Sequence, residues 1–252
     1  MGTAKAGLEW HGSTLLWRTV RILERATHGP VVVARAVGQP LPVLPPGTQV
    51  VDDPRPGLGP LQGIAAGLRA LSGRAEVVFV ASTDLPFLHP VFVCRVLLTV
   101  QEGADVGLPV ARGFRQPLAA AYRTSLASVA DRLAEAGLVK PAFLFDECDV
   151  ALLDDEVLRA DPHIAALDPD LDSVVNVNEP ADYVAARARP GPEVTVAGPG
   201  PAQRVRAASL AEAAAVIGLA ADQAVTAVLN GELITADAQM PLVAGDVVVF
   251  SG

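Results

Sequence analysis

Aromatic residues make up only 4% of this 252-residue chain, although 51% of it is hydrophobic. Such a core must be assembled from Ala, Val and Leu, with few rings to fill space. The same apolar fraction excludes a disordered or collagen-like chain. Cysteine is nearly absent. Cys94 and Cys148 stand alone without a Cys-x-x-Cys spacing, so no zinc cluster or disulfide framework follows. Both are expected to be buried thiols of a reducing compartment. Basic residues are outnumbered, 19 against 28 acidic ones, for a net charge of −9. That balance argues against a nucleic-acid surface or an anionic-membrane binder. A phosphorylated small molecule stays compatible with it, because a few placed cations and a metal suffice. Long uncharged apolar runs are missing too. The richest stretch, Ala75 to Val100, is broken by Asp84, Pro86, His89, Pro90 and Arg95. No membrane span or basic-then-apolar leader is read from it. The expectation is a cytoplasmic protein with neither nucleic acid nor membrane as a partner.

Apolar runs alternate with helical periods. Ser13 or Thr14 can cap a helix whose Leu16, Val20 and Leu23 share one face. Val31 to Ala34 reads as a buried strand, and Gln49 to Val51 as another, ended by Asp52-Asp53-Pro54. Pro60 suits the first helical position, with Leu61, Ile64, Leu68 and Leu71 behind it. Val77 to Ala81 is a β-rich run typical of a strand covered on both faces. A second Pro-started helix follows from Pro90, then a short strand from Ala104 to Leu108. This order predicts an α/β domain with a doubly wound, mostly parallel sheet. The pattern changes at residues 188–192, where prolines around Gly191 suit a linker. Beyond it, Glu193 to Ala197 alternates like a strand. Ser209 can cap a helix from Leu210 to Ile217, with Glu212 at the capping-box position. Val225 to Leu229 enters an Asn230-Gly231 turn, and Val247 to Phe250 is a last strand. Two units follow, residues 1–187 and 193–252.

Four segments can carry chemistry, and each has a plainer reading. Lys5, after the small residues Gly2 to Ala4, can offer its ammonium to a phosphate; a terminal lysine is more often merely solvated. In Gly57-Leu58-Gly59-Pro60-Leu61, glycines allow close backbone approach and the helix start offers free amides, or this is a plain loop. Asp84 follows a buried strand, where open α/β sheets bind ligands. One carboxylate plus substrate phosphates is a usual way to hold Mg²⁺, whereas an Asp here can also just cap a turn. In Asn176-Val177-Asn178-Glu179-Pro180, the amides can hold phosphate or metal-bound water, or Asn178 can cap the helix that Pro180 begins. His11, His28, His89 and His163 lie in separate segments and receive no role.

The order and spacing of these segments are more specific than any one of them. Together they resemble the nucleotidyltransferase family that includes molybdenum cofactor guanylyltransferase. Met1-Gly2-Thr3-Ala4-Lys5, Gly59-Pro60-Leu61-Gln62-Gly63, Asp84-Leu85-Pro86-Phe87, Gln116-Pro117-Leu118 with Tyr122-Arg123, and Asn176-Val177-Asn178-Glu179-Pro180 carry the likeness over residues 1–187. It implies a Rossmann-like nucleotidyltransferase that uses Mg²⁺ to transfer GMP from GTP to molybdopterin and releases pyrophosphate. It further implies that Lys5 neutralises phosphates and Asp84 holds the metal. The Gly59, Pro60 and Leu61 backbone would approach the base, and Asp52 or Asp53 would contact the nucleoside. Asn176 and Asn178 would place phosphates or the acceptor. Proteins of the same cofactor pathway are the implied partners. That family opens with a strand and a glycine-rich loop ahead of the lysine motif. The resemblance therefore implies that the present sequence starts inside the motif, with unpaired edges on the strands that flank the first one; an upstream start with Met1 as an internal methionine is the expectation, and a degenerate form is the alternative. A cytidylyl or sugar-phosphate nucleotidyltransferase and a non-catalytic adaptor are the rival readings.

Residues 192–252 resemble the small β-grasp sulfur carriers, the molybdopterin-synthase small subunit and the thiamine carrier. Glu193-Val194-Thr195-Val196, the Ser209 helix, Val228 to Glu232 and Gly245 to Val248 carry that likeness. Those carriers end in Gly-Gly, whereas this sequence ends in Ser251-Gly252, so a docking or structural β-grasp module is expected rather than a sulfur carrier.

Overall fold

A computed structural model describes residues 5–27, 29–53, 59–198, 200–219, 226–234 and 237–250. Met1 to Ala4, His28, Pro54, Gly57, Leu58, Val225, Ser251 and Gly252 of the sequence reading therefore lie outside the described residues. After one 3-10 turn, a two-residue hairpin (β1, Glu9–Trp10; β2, Ser13–Thr14) leads into α1, Leu15–Thr27. Thr14, not Ser13, is the cap, its Oγ1 accepting from Trp17 N at 3.1 Å. Next come β3, Val32–Ala36; β4, Gln49–Asp53; α2, Pro60–Leu71; β5, Val77–Ala81; and α3, Pro90–Gln101. They are followed by β6, Val106–Ala111; β7, Phe114–Arg115; β8, Ala119–Arg123; α4, Ala127–Glu135; α5, Pro141–Phe145; and β9, Val150–Asp154. Three short helices close this part: α6, Asp155–Ala160; α7, Pro162–Leu167; and α8, Pro180–Arg187. The remaining elements are β10, Glu193–Ala197; β11, Gln203–Arg206; α9, Leu210–Val216; β12, Ala227–Leu229; β13, Glu232–Ile234; and β14, Val247–Phe250.

The first sheet runs β5-β8-β6-β9, with β7 paired to the end of β6. It departs from the mostly parallel expectation. Strand β8 is antiparallel to both β5 and β6, and only β6 and β9 pair in parallel. The reason is local. Arg112 and Gly113 both have positive φ and join Ala111 to Phe114 by a two-residue turn, a connection that can only reverse the chain. Helices cover both faces, as a doubly wound sheet requires. Ala119 and Ala121 of β8 join the cluster of α1 and α3, whereas Ala120 and Tyr122 join that of α2 and α4. Successive residues of one strand thus feed opposite cores. Small side chains on β8 let the layers approach closely, which is how a ring-poor core packs. Gly107 of β6 has the same role, because a Cβ there would stand 2.8 Å from the Val96 carbonyl oxygen of α3.

Strands β3 and β4 pair in parallel as a sheet of their own. Among the described residues no strand lies between β3 and β5. A cleft of about 360 Å³ separates them, lined by residues 31–34 of the β3 side, 78–83 of the β5 side, and Leu16, Val20 and Ile64 from the helices. Accordingly β3 is not the buried strand expected; of its residues only Val33 is buried. A second correction concerns the thiols. Cys94 is exposed because it falls off the buried face of α3, and Cys148, in the segment between α5 and β9, is only half-buried at the margin of the α2 and α4 core.

The last unit is a five-stranded sheet of order β11-β10-β14-β12-β13. Its first and last strands, β10 and β14, are parallel neighbours, and every other pair is antiparallel. Its helix α9 starts at Ser209, whose Oγ accepts from Glu212 N at 3.3 Å. Glu212 reaches back to Ala208 N at 2.7 Å. The Asn230-Gly231 turn has positive φ at both residues, as expected. This unit docks on α1 through Arg25, whose Nη2 meets Asp246 Oδ1 at 2.6 Å while Nη1 donates to the Pro241 carbonyl.

Asp168, at the end of α7, is buried close to this junction. Burial raises its carboxyl from the ordinary value to about 6, against bonds from the Ser173 side chain and the Asp172 and Ser173 amides. A raised folded-state value means that the folded chain binds the proton more tightly than the unfolded chain. Stability therefore rises as pH falls from about 6 toward 4, by about 2–3 kcal/mol for this group. Urea unfolding over that range should show the Asp168→Asn variant losing this gain; an unchanged slope would refute the assignment.

Candidate functional site

Strand β5 ends at Ala81, and Ser82-Thr83-Asp84 turns the chain out at the edge of the sheet. The Asp84 carboxylate does not cap that turn. Its Oδ1 accepts from Ser82 Oγ at 2.5 Å, and its Oδ2 lies 3.3 Å from Lys5 Nζ. The same ammonium donates to Asn178 Oδ1 at 2.9 Å. Lys5 arrives from the 3-10 turn ahead of β1, Asp84 from the turn after β5, and Asn178 from the segment before α8. Val177 N donates to the Asp84 carbonyl at 2.9 Å, which pins that segment against the turn.

The two uses open to Asn178 are now separable. The helix cap at α8 is Glu179, and Asp182 Oδ2 accepts from the Asn178 and Glu179 amides at 2.9 and 2.8 Å. The Asn178 side chain is thereby free of capping and turns to Lys5. Asn176 lines the same pocket of about 230 Å³, together with Ser82, Asp84, Arg115 and Gln116. Side chains of both charge signs and three amides therefore face one opening, an arrangement suited to an anionic ligand with a bound cation.

The other sequence candidates lie apart from this cluster. Asp52 on β4 pairs with Arg35 of β3, Oδ1 to Nε at 2.8 Å. Asp53 ends the same strand. Gly59 has φ 105° and lies against Val139, whose carbonyl oxygen would be 2.9 Å from an added Cβ. Leu61 N donates to that same oxygen at 3.3 Å, and the Leu61 side chain is fully buried. The close approach that Gly59 permits in this structure is to its own chain. Pro60 borders the cleft between β3 and β5. Two pocket residues had no assigned role in the sequence. Arg115 directly precedes Gln116-Pro117-Leu118, and a cation beside that segment was the signal available. Ser82 is recognisable only from its bond to Asp84.

None of the described helices is long and apolar enough to cross a membrane. Known proteins resemble this chain in sequence and in fold. The model of the MobA-like NTP transferase domain matches residues 1–141. A protein named probable molybdenum cofactor guanylyltransferase in Mycobacterium tuberculosis (strain ATCC 25618 / H37Rv) is 40% identical over 153 residues, covering 59% of this chain and 74% of the relative. Its namesake in Mycobacterium ulcerans (strain Agy99) is 34% identical over 195 residues, 76% of this chain and 88% of the relative. Among solved structures, molybdopterin-guanine dinucleotide biosynthesis protein A from Archaeoglobus fulgidus superposes with a TM-score of 0.54 at 23% identity, covering 74% of this chain and 90% of that one. Rv0371c from Mycobacterium tuberculosis H37Rv gives 0.52 at 14% identity, covering 75% and 92%. At those identities the structural likeness speaks for the fold.

Proposed function

The chain belongs to the MobA-like NTP transferase family and is a nucleotidyltransferase, and from that premise we propose that it transfers GMP from GTP to molybdopterin and releases pyrophosphate. The observation that carries this reading is the meeting of Lys5, Asp84 and Asn178 from three distant segments. In the reaction a phosphate oxygen of the acceptor attacks the α-phosphorus. The bond to the bridging oxygen of the β-phosphate breaks, and pyrophosphate leaves. Such a transfer needs positioning and charge neutralisation more than a protein nucleophile. The Lys5 ammonium, now bridging Asp84 and Asn178, turns to the phosphates. Asn178 and Asn176 orient phosphate or acceptor oxygens across the pocket. Ser82 holds the Asp84 carboxylate in place. Asp52 or Asp53 and the Gly59–Leu61 backbone meet the nucleoside in this reading.

The donor set fits Mg²⁺. Asp84 supplies one hard carboxylate in an open pocket, and the described residues contain no group of three or more His, Cys, Asp or Glu able to cage an ion alone. A single carboxylate with substrate phosphates is the usual arrangement for this ion. When bound it neutralises charge on the transferred phosphate.

For the last unit we propose a β-grasp docking module for proteins of the same pathway; parallel central β10 and β14 with one helix support it. Nucleotide titration under Mg²⁺ tests the main reading. Preference for GTP over CTP is expected. Tight CTP binding would favour a cytidylyltransferase instead, and binding of neither would favour the adaptor.

A further inference from the structure

We propose that Arg18 holds the carboxylate of a small apolar-bodied organic acid in the cavity between the two units. Arg18 lies on the buried side of α1 and is only 6% exposed. Its Nε donates to the Pro86 carbonyl at 2.5 Å. Among the described residues no carboxylate stands within ion-pair distance of its guanidinium. An arginine so buried is normally paired.

The neighbouring charges do not compensate it. Asp246 is engaged already, its Oδ1 by Arg25 and Asn230 at 2.6 and 2.7 Å, and its Oδ2 by Val243 N at 2.8 Å. His89 is neutral. Its Nδ1 accepts from Val91 N at 3.2 Å, so Nε2 carries the proton toward the Ala244 carbonyl at 3.0 Å. Burial also pushes its pKa down. Two arginines and one aspartate leave one positive charge over. Burial and the charge of Arg25 push the Arg18 guanidinium down to about 10, the direction expected of a cation in need of an anion.

Arg18 and His89 line a cavity of about 210 Å³, walled by Trp10, Phe87, Leu167 and Val243. Of the aspartates on its rim, Asp168 and Asp172 are engaged elsewhere, and Asp170 borders the cavity beside them. Asp168 accepts from the Asp172 and Ser173 amides, and Asp172 pairs with Arg112 and Arg189. A guanidinium fork matches the two oxygens of a carboxylate. Walls of rings and aliphatic side chains suit an apolar body, whereas inorganic phosphate has no apolar body to set against them. The volume lies below the usual drug-sized range of about 300–1,000 Å³, so the acid is about the size of benzoate. Nothing in this site is shared with the Lys5–Asp84 pocket, and the proposal stands or falls apart from the transferase reading.

Calorimetric titration of the full chain with sodium benzoate tests it, with sodium phosphate at matched ionic strength as the second arm. Benzoate should bind with a Kd on the order of millimolar, as about nine heavy atoms of modest efficiency give. Phosphate should bind at least about tenfold more weakly, and Arg18→Met should weaken benzoate by about tenfold or more. Arg18→Lys, which keeps the buried charge without the fork, should also bind more weakly and serves if Arg18→Met does not fold. Asp84→Ala should leave benzoate binding unchanged. No heat with benzoate, equal binding by either Arg18 variant, loss of binding in Asp84→Ala, or phosphate binding as tightly would each overturn the proposal.

Discussion

Replacing Asp84 with alanine should lower Mg²⁺-dependent pyrophosphate release by about three orders of magnitude or more, the scale expected when a preorganised charge at the transferred phosphate is lost. Two effects combine. The substitution removes the only carboxylate that lines the pocket among the described residues, and it frees the Lys5 ammonium from its 3.3 Å partner. Folding should survive. The Asp84 side chain is partly exposed, and the bond that ties the turn to Val177 comes from the Asp84 backbone carbonyl. Asp84→Asn keeps the size and removes the charge, so it should lose nearly as much. Release of pyrophosphate from GTP with molybdopterin as acceptor is the measurement, alongside a melting curve for each variant. Activity within about twofold of wild type in a folded Asp84→Ala protein would remove this residue from the mechanism.

Substituting Arg25 by methionine should destabilise the junction of the two units by about 3–5 kcal/mol, the cost of leaving a buried charge without its partner. The Asp246 side chain is only 3% exposed, so water cannot replace the guanidinium. Asn230 and Val243 N still donate to the carboxylate, which places the expectation toward the lower end of that range. Denaturant unfolding followed by an N-terminal probe, such as fluorescence of Trp10 and Trp17, and separately by exchange in the last sheet, measures the loss. The last sheet should release first. Adding Asp246→Asn to Arg25→Met should recover part of the stability, because it removes the orphaned charge and keeps an acceptor for Asn230 or Val243 N. A single variant within about 0.5 kcal/mol of wild type would show that the pair does not hold the units together.

Much of this architecture is legible in the sequence, and what is not has physical reasons. Val77 to Ala81 followed by Asp84 announces a strand ending in a carboxylate, since period, β-branching and the breaking Pro86 agree. The Pro-started helices α2, α3 and α8 are plain for the same reason. The direction of β8 is hidden. Ala119-Ala120-Ala121 has no strand bias, and the turn that reverses the chain rests on Arg112 in a positive-φ conformation that arginine rarely adopts. Asn178 is ambiguous in sequence because the cap of α8 can fall on either of two adjacent residues. The Asp182 carboxylate resolves it by bonding to the backbone of both. The contact between Lys5 and Asp84 spans 79 positions, and no local pattern encodes such a distance. The lone Arg18 is equally silent in sequence, where it reads as an ordinary helix cation.

The cleft beside β5 gives that strand two unlike edges. The bonds from Thr124 N to the Glu76 carbonyl and from Ser82 N to the Leu118 carbonyl set the phase of the ladder. Val78 and Val80 therefore turn their amides toward β8, and Phe79 and Ala81 turn theirs toward the cleft. In deuterated solvent the first pair is locked by the sheet, while the second pair exchanges through water that reaches the cleft. Exchange along one five-residue strand thus alternates from residue to residue. Any chain that came to lie between β3 and β5 would be recorded as the slowing of Phe79 and Ala81, with Val78 and Val80 unmoved.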